Sequence, residues 1–315
     1  MTTFTIIHGD DVDGLTCGAF IKRIIGGSFY LANYDNLENA LDIVKPPIDT
    51  LYICDLNIRD SLENQLLNIA DFAKINIIDH HQMSQNLIEK LENVGADIRL
   101  DIRDCAAMLV YDTFKNQLGT EAKRLAAYAA ISDMFEEGPI AASILSKMDR
   151  KFAQHEAQLL THALCSDQSI EFKRNIMEEL SKYNYPHRIN GVVEKAIKCL
   201  EEMASIKETI LNNAKIIGRV AVMETTGDNS TGRISNLLID TLGVDVGISY
   251  KSNEDYYNLS LRGEKFLKEH LGEISKDLGM KYRGFGGGHQ RASGIKVPKE
   301  NLQPLLDEII SKLNE

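Results

Sequence analysis

Ile75-Asn76-Ile77-Ile78-Asp79-His80-His81 decides the fold of this chain. Its largely apolar, β-branched start reads as a buried strand that releases Asp-His-His directly from its end. Two other runs finish the same way. Phe4-Thr5-Ile6-Ile7 leads into His8-Gly9-Asp10-Asp11-Val12-Asp13-Gly14, and Leu51-Tyr52-Ile53-Cys54 leads into Asp55. In an open α/β sheet, ligands gather outside the carboxyl ends of parallel strands. Three strands that each deliver carboxylate or imidazole to that edge build one polar cluster. The chemistry such a cluster supports is divalent-metal binding.

Working outward, the text up to about Tyr183 alternates strand-like and helix-like runs, which implies an α/β fold with a parallel sheet covered on both faces. A helix is expected over Leu15–Ile25. Asp60 is expected to cap a second, which carries Leu62, Leu66, Leu67, Ile69 and Ala70, and Asp104 a third, through Ala106, Leu109, Val110 and Phe114. Residues 121–180 read as almost wholly helical. Tyr183-Asn184-Tyr185-Pro186-His187-Arg188 breaks the periodicity. Beyond it a long amphipathic helix runs from Val193 to Ala214 and reads as a connector. The remainder mixes strands (220–223, 246–250, 257–261, 295–297) with helices near 233–242, 265–278 and 300–313. Two domains follow, residues 1–188 with the parallel sheet and 189–315 with the linker helix and a smaller mixed α/β domain, with a cleft expected between them.

At 315 residues and 43% hydrophobic content, the chain is long enough for two ordinary cores. No apolar stretch approaches a membrane span of about 18 residues, and Met1-Thr2-Thr3 runs straight into a strand, so a soluble, untargeted, cytoplasmic protein is expected. Five cysteines, Cys17, Cys54, Cys105, Cys165 and Cys199, are widely spaced and form no C-x-x-C pair, as reduced core residues would be. The net charge of −11 argues against a protein that coats duplex nucleic acid with a broad basic face. It leaves room for a nucleic-acid enzyme whose carboxylates hold cations.

His8, Asp11, Asp13, Asp55, Asp79, His80 and His81 are hard or borderline ligands suited to Mn²⁺ or Mg²⁺. Two such ions about 3.5–4 Å apart need a bridging carboxylate and further carboxylates on either side. Such a pair activates water and stabilises the attacking and departing oxygens of a phosphoryl group.

These residues, with Asp133, follow the four motifs of the DHH phosphoesterases, and the chain is similar to that superfamily. It includes RecJ-type exonucleases, nano-RNases, cyclic-dinucleotide phosphodiesterases and family II pyrophosphatases. Gly286-Gly287-Gly288-His289-Gln290-Arg291-Ala292-Ser293-Gly294 looks like the signature of the accompanying DHHA1 domain, so the resemblance spans the chain. It implies one metal held by His8, Asp11 and Asp55 and another by Asp13, Asp55, His80 and Asp133, with Asp55 bridging. Asp79 would orient a histidine and His81 would face the phosphate, so Asp55, Asp79, His80 and His81 form the catalytic set. Relatives commonly place the first histidine two or four residues before the first aspartate. Here His8 stands three before Asp11 and two before Asp10, which leaves the ligand open between them. The Asp-x-Asp-Gly register of Asp11-Val12-Asp13-Gly14 favours Asp11.

From Lys281 to Lys299 there are five basic residues and no carboxylate. The Gly284-Phe285-Gly286-Gly287-Gly288 run removes side chains so that backbone N–H groups can approach phosphate oxygens, and with His289 as an added donor it reads as an anion-binding element rather than a merely flexible loop. Arg262, at a strand end, matches a position where DHHA1 relatives often place a substrate-binding arginine, and its guanidinium fork suits phosphate. Arg233, opening a helix, is a further candidate. Phe285 fits either a stacked base or a core position. His155, His162, His187 and His270 lack metal-like spacing and read as structural or exposed.

The function these features point to is a two-metal, Mn²⁺-dependent phosphodiesterase, with Mg²⁺ as the alternative ion. Its expected substrates are single-stranded RNA or DNA and short oligonucleotides, cut as an exonuclease. A phosphodiesterase for cyclic dinucleotides, or a phosphatase for 3′-phosphoadenosine 5′-phosphate-like nucleotides, shares the same motifs. A non-enzymatic replication scaffold of the RecJ-like type would be expected to have lost metal ligands, and here every motif is intact. No membrane partner is expected. The oligomeric state is left open, a homodimer included.

Overall fold

A computed structural model describes residues 2–227 and 230–315. The chain divides into two compact units, Met1–Leu200 and Glu201–Glu315. The division falls inside a long helix, C-terminal to the boundary expected after residue 188.

The first unit holds a parallel sheet of β1 (Thr3–His8), β2 (Ser28–Ala32), β3 (Thr50–Cys54), β4 (Lys74–Asp79) and β5 (Asp97–Leu100), in the order β2-β1-β3-β4-β5. Its helices are α1 (Val12–Ile24), α2 (Leu37–Asp42), α3 (Glu63–Ala70), α4 (Gln85–Asn93), α5 (Ala106–Leu118), α6 (Ala122–Ser132), α7 (Pro139–Leu145), α8 (Arg150–Ser166) and α9 (Ile170–Ser181). Because successive strand side chains point to opposite faces, the apolar runs feed two cores. Ile6, Leu51, Ile53, Ile75 and Ile77 pack with α2, α3 and α4, whereas Ile7, Cys54 and Ile78 pack with α1, α5, α6, α8 and α9. Each fully buried aliphatic side chain contributes about 1.5–3 kcal/mol, so both faces hold the strands in place.

Register positions the site. Ile7 pairs with Cys54, and Cys54 with Ile78, across the three adjacent strands. The next residue on each strand is His8, Asp55 or Asp79, so all three leave the sheet at one edge. They sit beside β1, where the strand order reverses, which is where such sheets bind ligands.

The second unit takes in the end of α10 (Val192–Asn213) and a mixed sheet. Its strands are β6 (Lys215–Ile217), β7 (Val220–Glu224), β8 (Val246–Ser252), β9 (Tyr256–Gly263), β10 (Phe285–Gly288) and β11 (Ala292–Pro298), in the order β10-β11-β9-β8-β7-β6. β7 and β8 are parallel and the other pairs antiparallel. α12 (Leu271–Lys281) and α13 (Leu302–Asn314) share a core with Val246, Leu259, Ile295 and Val297. On the other face α11 (Thr231–Leu242) packs with Ile206, Ile210 and Met223.

Several local expectations are corrected. Asp60 does not cap α3; it opens a 3-10 turn, and its carboxylate accepts from Ser84 Oγ. Asp104 does not cap α5, whose N-cap is Cys105. Its carboxylate instead accepts the Ile140 and Ala141 N–H groups at the start of α7, both at 2.9 Å. The helix expected from 265 begins at Leu271, because His270 N-caps it through Nδ1 from Glu273 N–H. Most of the glycine run, Phe285–Gly288, is the strand β10. Cys165 is exposed, while the other four cysteines are buried. Among the described residues no helix is long and apolar enough to cross a membrane.

Candidate metal centre

β1 delivers His8 to the sheet edge, and the chain turns at once into α1. Asp11 caps that helix, its Oδ1 accepting Gly14 N–H at 3.0 Å. Its Oδ2 lies 2.8 Å from His8 Nδ1. Asp10 turns away and pairs with Lys173 Nζ at 2.5 Å. The geometry therefore puts Asp11, and not Asp10, beside His8. Asp13 is 1% exposed. Its two oxygens accept the N–H groups of Ala106 and Ala107, each at 2.8 Å. Those are the first amides of α5, so a helix N-terminus fixes this carboxylate and favours its charge.

Asp55 follows β3 with φ at 59°, a left-handed conformation that aspartate tolerates better than most residues. The turn brings one oxygen 3.2 Å from His80 Nε2 and the other 3.6 Å from His8 Nδ1. Asp79 is held mainly by backbone donors. It accepts the N–H groups of Leu56, His80 and His81, and its Oδ1 lies 2.8 Å from His81 Nδ1. A carboxylate only accepts, so His81 carries its hydrogen on Nδ1 and turns Nε2 outward.

Asp133 arrives from a helix end. It is the C-cap of α6, Met134 follows with φ at 60°, and Phe135 N–H returns to Ala130 O at 2.8 Å. This is a Schellman-type ending without its usual glycine. It sets Asp133 Oδ2 3.7 Å from His80 Nε2 and lays Phe135 edge-on against the His80 ring at 4.8 Å.

His8 Nδ1, Asp55 Oδ2 and Asp133 Oδ2 are buried and make no hydrogen bond of proper geometry. Three overlapping groups form, His8/Asp11/Asp55, Asp13/His80/Asp133 and Asp55/Asp79/His80/His81, and within each the ligand atoms lie within 4.8 Å of one another. Burial, then the charges of Asp55, Asp133 and Asp11, push the Asp13 carboxyl well up. Burial lifts Asp133 to about 6. A water-poor cluster of carboxylates with orphaned lone pairs is unfavourable by itself and is relieved by cations. The donor set, all oxygen and imidazole nitrogen, fits a pair of hard divalent ions.

Proton linkage makes this testable. Burial opposes charge on both imidazoles, but Asp11 and Asp55 raise His8 to about 10, and Asp55 with its neighbours raises His80 to about 9. In metal-free protein at pH 7 both rings therefore hold a proton that a metal must displace. Mn²⁺ affinity is expected to rise with pH up to about 10, where His8 has lost its extra proton, and to level off above that. Titration calorimetry at pH 7 in two buffers of different ionisation enthalpy should report at least two protons released per chain, the imidazolium pair plus any held by the raised Asp13 carboxyl. Release of none would contradict the ligand assignment.

Tyr34 was not legible in the sequence. It follows β2, stacks on His8 at 4.7 Å between centroids and lies 3.2 Å, by its hydroxyl, from His81 Nε2. Asp79, His81 and Tyr34 thus form one hydrogen-bonded chain at the cluster's rim. Tyr34→Phe keeps the ring and removes that bond, whose worth is about 0.5–1.5 kcal/mol. We expect kcat to fall about 2- to 10-fold with metal content unchanged; a drop in bound metal would show that Tyr34 instead supports the ligands.

The remaining candidates belong to the second unit. Arg262, the penultimate residue of β9, is half-buried, and its guanidinium donates to Ser260 Oγ and the Leu261 and Ser293 carbonyls. Among the described residues no carboxylate pairs with it. Gly232, next to Arg233 in the first turn of α11, lies against this guanidinium: a Cβ there would stand 2.8 Å from it. The glycines of β10 divide by cause. A Cβ on Gly286 would meet Ser275 O at 2.2 Å, and one on Gly288 would meet Ala292 O at 2.4 Å, so helix and hairpin packing demand both. Gly287 faces open space. His289 is exposed beyond it, its N–H bonded to Ala292 O.

Residues 216–315 match the DHHA1 domain family. No curated protein sequence gives a match. Among solved structures, a pGpG-specific phosphodiesterase from Vibrio cholerae is 12% identical with a TM-score of 0.64, covering 100% of this chain and 99% of that one. The DHH domain of a protein described as a member of a ribosomal-protein family is 16% identical with a TM-score of 0.68, covering 100% and 87%. Exonuclease RecJ bound to manganese is 12% identical with a TM-score of 0.61, covering 99% and 90%. Residues 216–315 are thus a DHHA1 domain, and along its whole length the chain has the fold of DHH-domain and RecJ proteins.

Proposed function

We propose that the chain is a two-metal phosphodiesterase that removes nucleotides from single-stranded or short oligonucleotides, with Mn²⁺ as its working ion. The observation that carries this reading is Asp55, whose two oxygens face His8 and His80 from the centre of a buried carboxylate–imidazole cluster. His8, Asp11 and Asp55 would hold one ion, and Asp13, Asp55, His80 and Asp133 the other. Such a pair supplies the positive charge that makes water nucleophilic at neutral pH and neutralises phosphoryl oxygens. The protein's own part is positional. The amides of α5 hold Asp13 in place, and Asp79 with Tyr34 orients the His81 ring, which would stand beside the substrate phosphate. In the second unit Arg262 and the hairpin around His289 are the phosphate-binding elements.

The likeness to a pGpG-specific phosphodiesterase of nearly the same length supports dinucleotides among the substrates. The test is a comparison of Mn²⁺-dependent rates on a linear dinucleotide, a 10-nucleotide RNA, its DNA counterpart and a cyclic dinucleotide. Faster turnover of the linear substrates supports the proposal, and turnover of the cyclic one alone overturns its substrate class. Arg262→Ala is expected to raise KM about 10- to 100-fold, the worth of a charged hydrogen bond, and to leave bound Mn²⁺ unchanged. Loss of Mn²⁺ in that variant would contradict the division of labour.

A further inference from the structure

One face of the second unit's sheet is covered by α12 and α13, which take Ser293, Ile295 and Val297 of β11. On the opposite face α11 covers β8 and part of β9, through Ser235 against Ser249 and Ser260. β10 and β11 lie beyond it. Strand alternation then puts Phe285, Lys296 and Asn258 side by side in one cross-strand row, since Phe285 pairs with Lys296 and Lys296 with Asn258. Arg262 stands on the same face of β9, four residues along from Asn258, about 13 Å away. Gly287 and Gly294, paired with each other, occupy the row between and raise no side chain.

Phe285 is 65% exposed, at the edge of the sheet. Lys296 Nζ sits 3.4 Å from the Tyr256 ring centroid and 5.8 Å from that of Phe285. Among the described residues it has no carboxylate partner. An open cavity forms here, with Asp255 and Glu300 on its rim. An exposed ring, an ammonium held between two rings and a guanidinium with no carboxylate partner among the described residues share one face, in a chain of net charge −11. Apolar rings with uncompensated cations match a ligand that alternates flat bases with phosphates.

We infer that the open face of β9, β10 and β11 is a single-strand platform on which Phe285 stacks a nucleobase and Lys296 contacts a phosphate of an oligonucleotide longer than a dinucleotide. This rests on the nucleic-acid reading of the proposed function and extends it to a second binding position, at the opposite end of β10 from His289. Phe285 acts there as a stacking residue and takes no part in the chemistry.

The test is binding without turnover. Fluorescence anisotropy of a labelled 10-nucleotide single strand is measured on the full chain in EDTA. Phe285→Ala is expected to weaken binding about 5- to 100-fold, the range of one base–aromatic stack, and Phe285→Trp to restore it. Lys296→Gln is expected to reduce the dependence of log affinity on log salt by about one phosphate contact. Phe285 is exposed, so these variants should keep the wild-type melting temperature. Unchanged binding in Phe285→Ala, equal weakness in the alanine and tryptophan variants, or no binding by the wild type would each overturn the inference. A Phe285→Ala change that leaves strand binding intact but lowers the molecular mass in light scattering would reassign the patch to a second copy of the chain. Hydrolysis is scored separately: strand binding without any cleavage overturns the proposed function and leaves the platform standing.

Discussion

Asp55→Asn is expected to lower turnover by about 10³-fold or more, roughly 4 kcal/mol of transition-state stabilisation, and to remove at least one bound metal ion. The substitution suits the position. Asp55 has φ at 59°, and asparagine tolerates that conformation as aspartate does, so the turn after β3 should survive. What changes is the charge and one acceptor at the point equidistant in role between His8 and His80. The amide places donors where a cation needs lone pairs. Circular dichroism should match the wild type while metal analysis shows a deficit. Full activity with two ions bound would refute the bridging assignment.

Gly14→Ala is expected to cost about 3 kcal/mol of stability, lowering the melting temperature by about 10 °C, and to abolish activity. A Cβ at residue 14 would stand 2.0 Å from the His8 carbonyl oxygen and 2.8 Å from its Cβ. Neither can yield cheaply, since His8 is the last residue of β1, paired to Ala32. The strand end and α1 must separate, carrying His8 away from Asp11. Gly95→Ala is the control. There the φ is +89° but open space surrounds the position, so the cost should be the backbone term of about 1 kcal/mol, without loss of activity. Equal melting temperatures for the two variants would mean that the β1–α1 contact is looser than described.

The central part of this site was legible because β1, β3 and β4 are apolar on both faces and neighbours in the sheet. A strand buried on both sides reads as a continuous apolar run, and its first polar residue marks the sheet edge. The two edge strands lack that signature, since Asp97 and Arg99 break the apolar run of β5 and only the last two residues of β2 are buried. Asp133 had no local signal beyond a helix end, and the resemblance to the DHH motifs supplied it. Which of Asp10 and Asp11 lies beside His8 depends on side-chain direction, and Lys173, far along the chain, pairs with Asp10 while Asp11 meets His8.

Where the sequence misleads, contacts distant in the chain are the cause. Asp104 precedes α5 as a cap should, yet it serves α7, and Asp13, from α1, receives the α5 amides instead. Ser275 O and Gly279 of α12 press so closely on β10 that glycine is required at Gly286 for packing rather than for phosphate. Tyr34 sits in ordinary turn text, and nothing in its neighbours announces a ring stacked on His8.

The most direct test of the account is anomalous diffraction from crystals of the full chain soaked in Mn²⁺. The account expects two peaks flanking Asp55, one bordered by His8 and Asp11 and the other by Asp13, His80 and Asp133. A single peak held without Asp55, or Mn²⁺ bound only elsewhere on the protein, would contradict it.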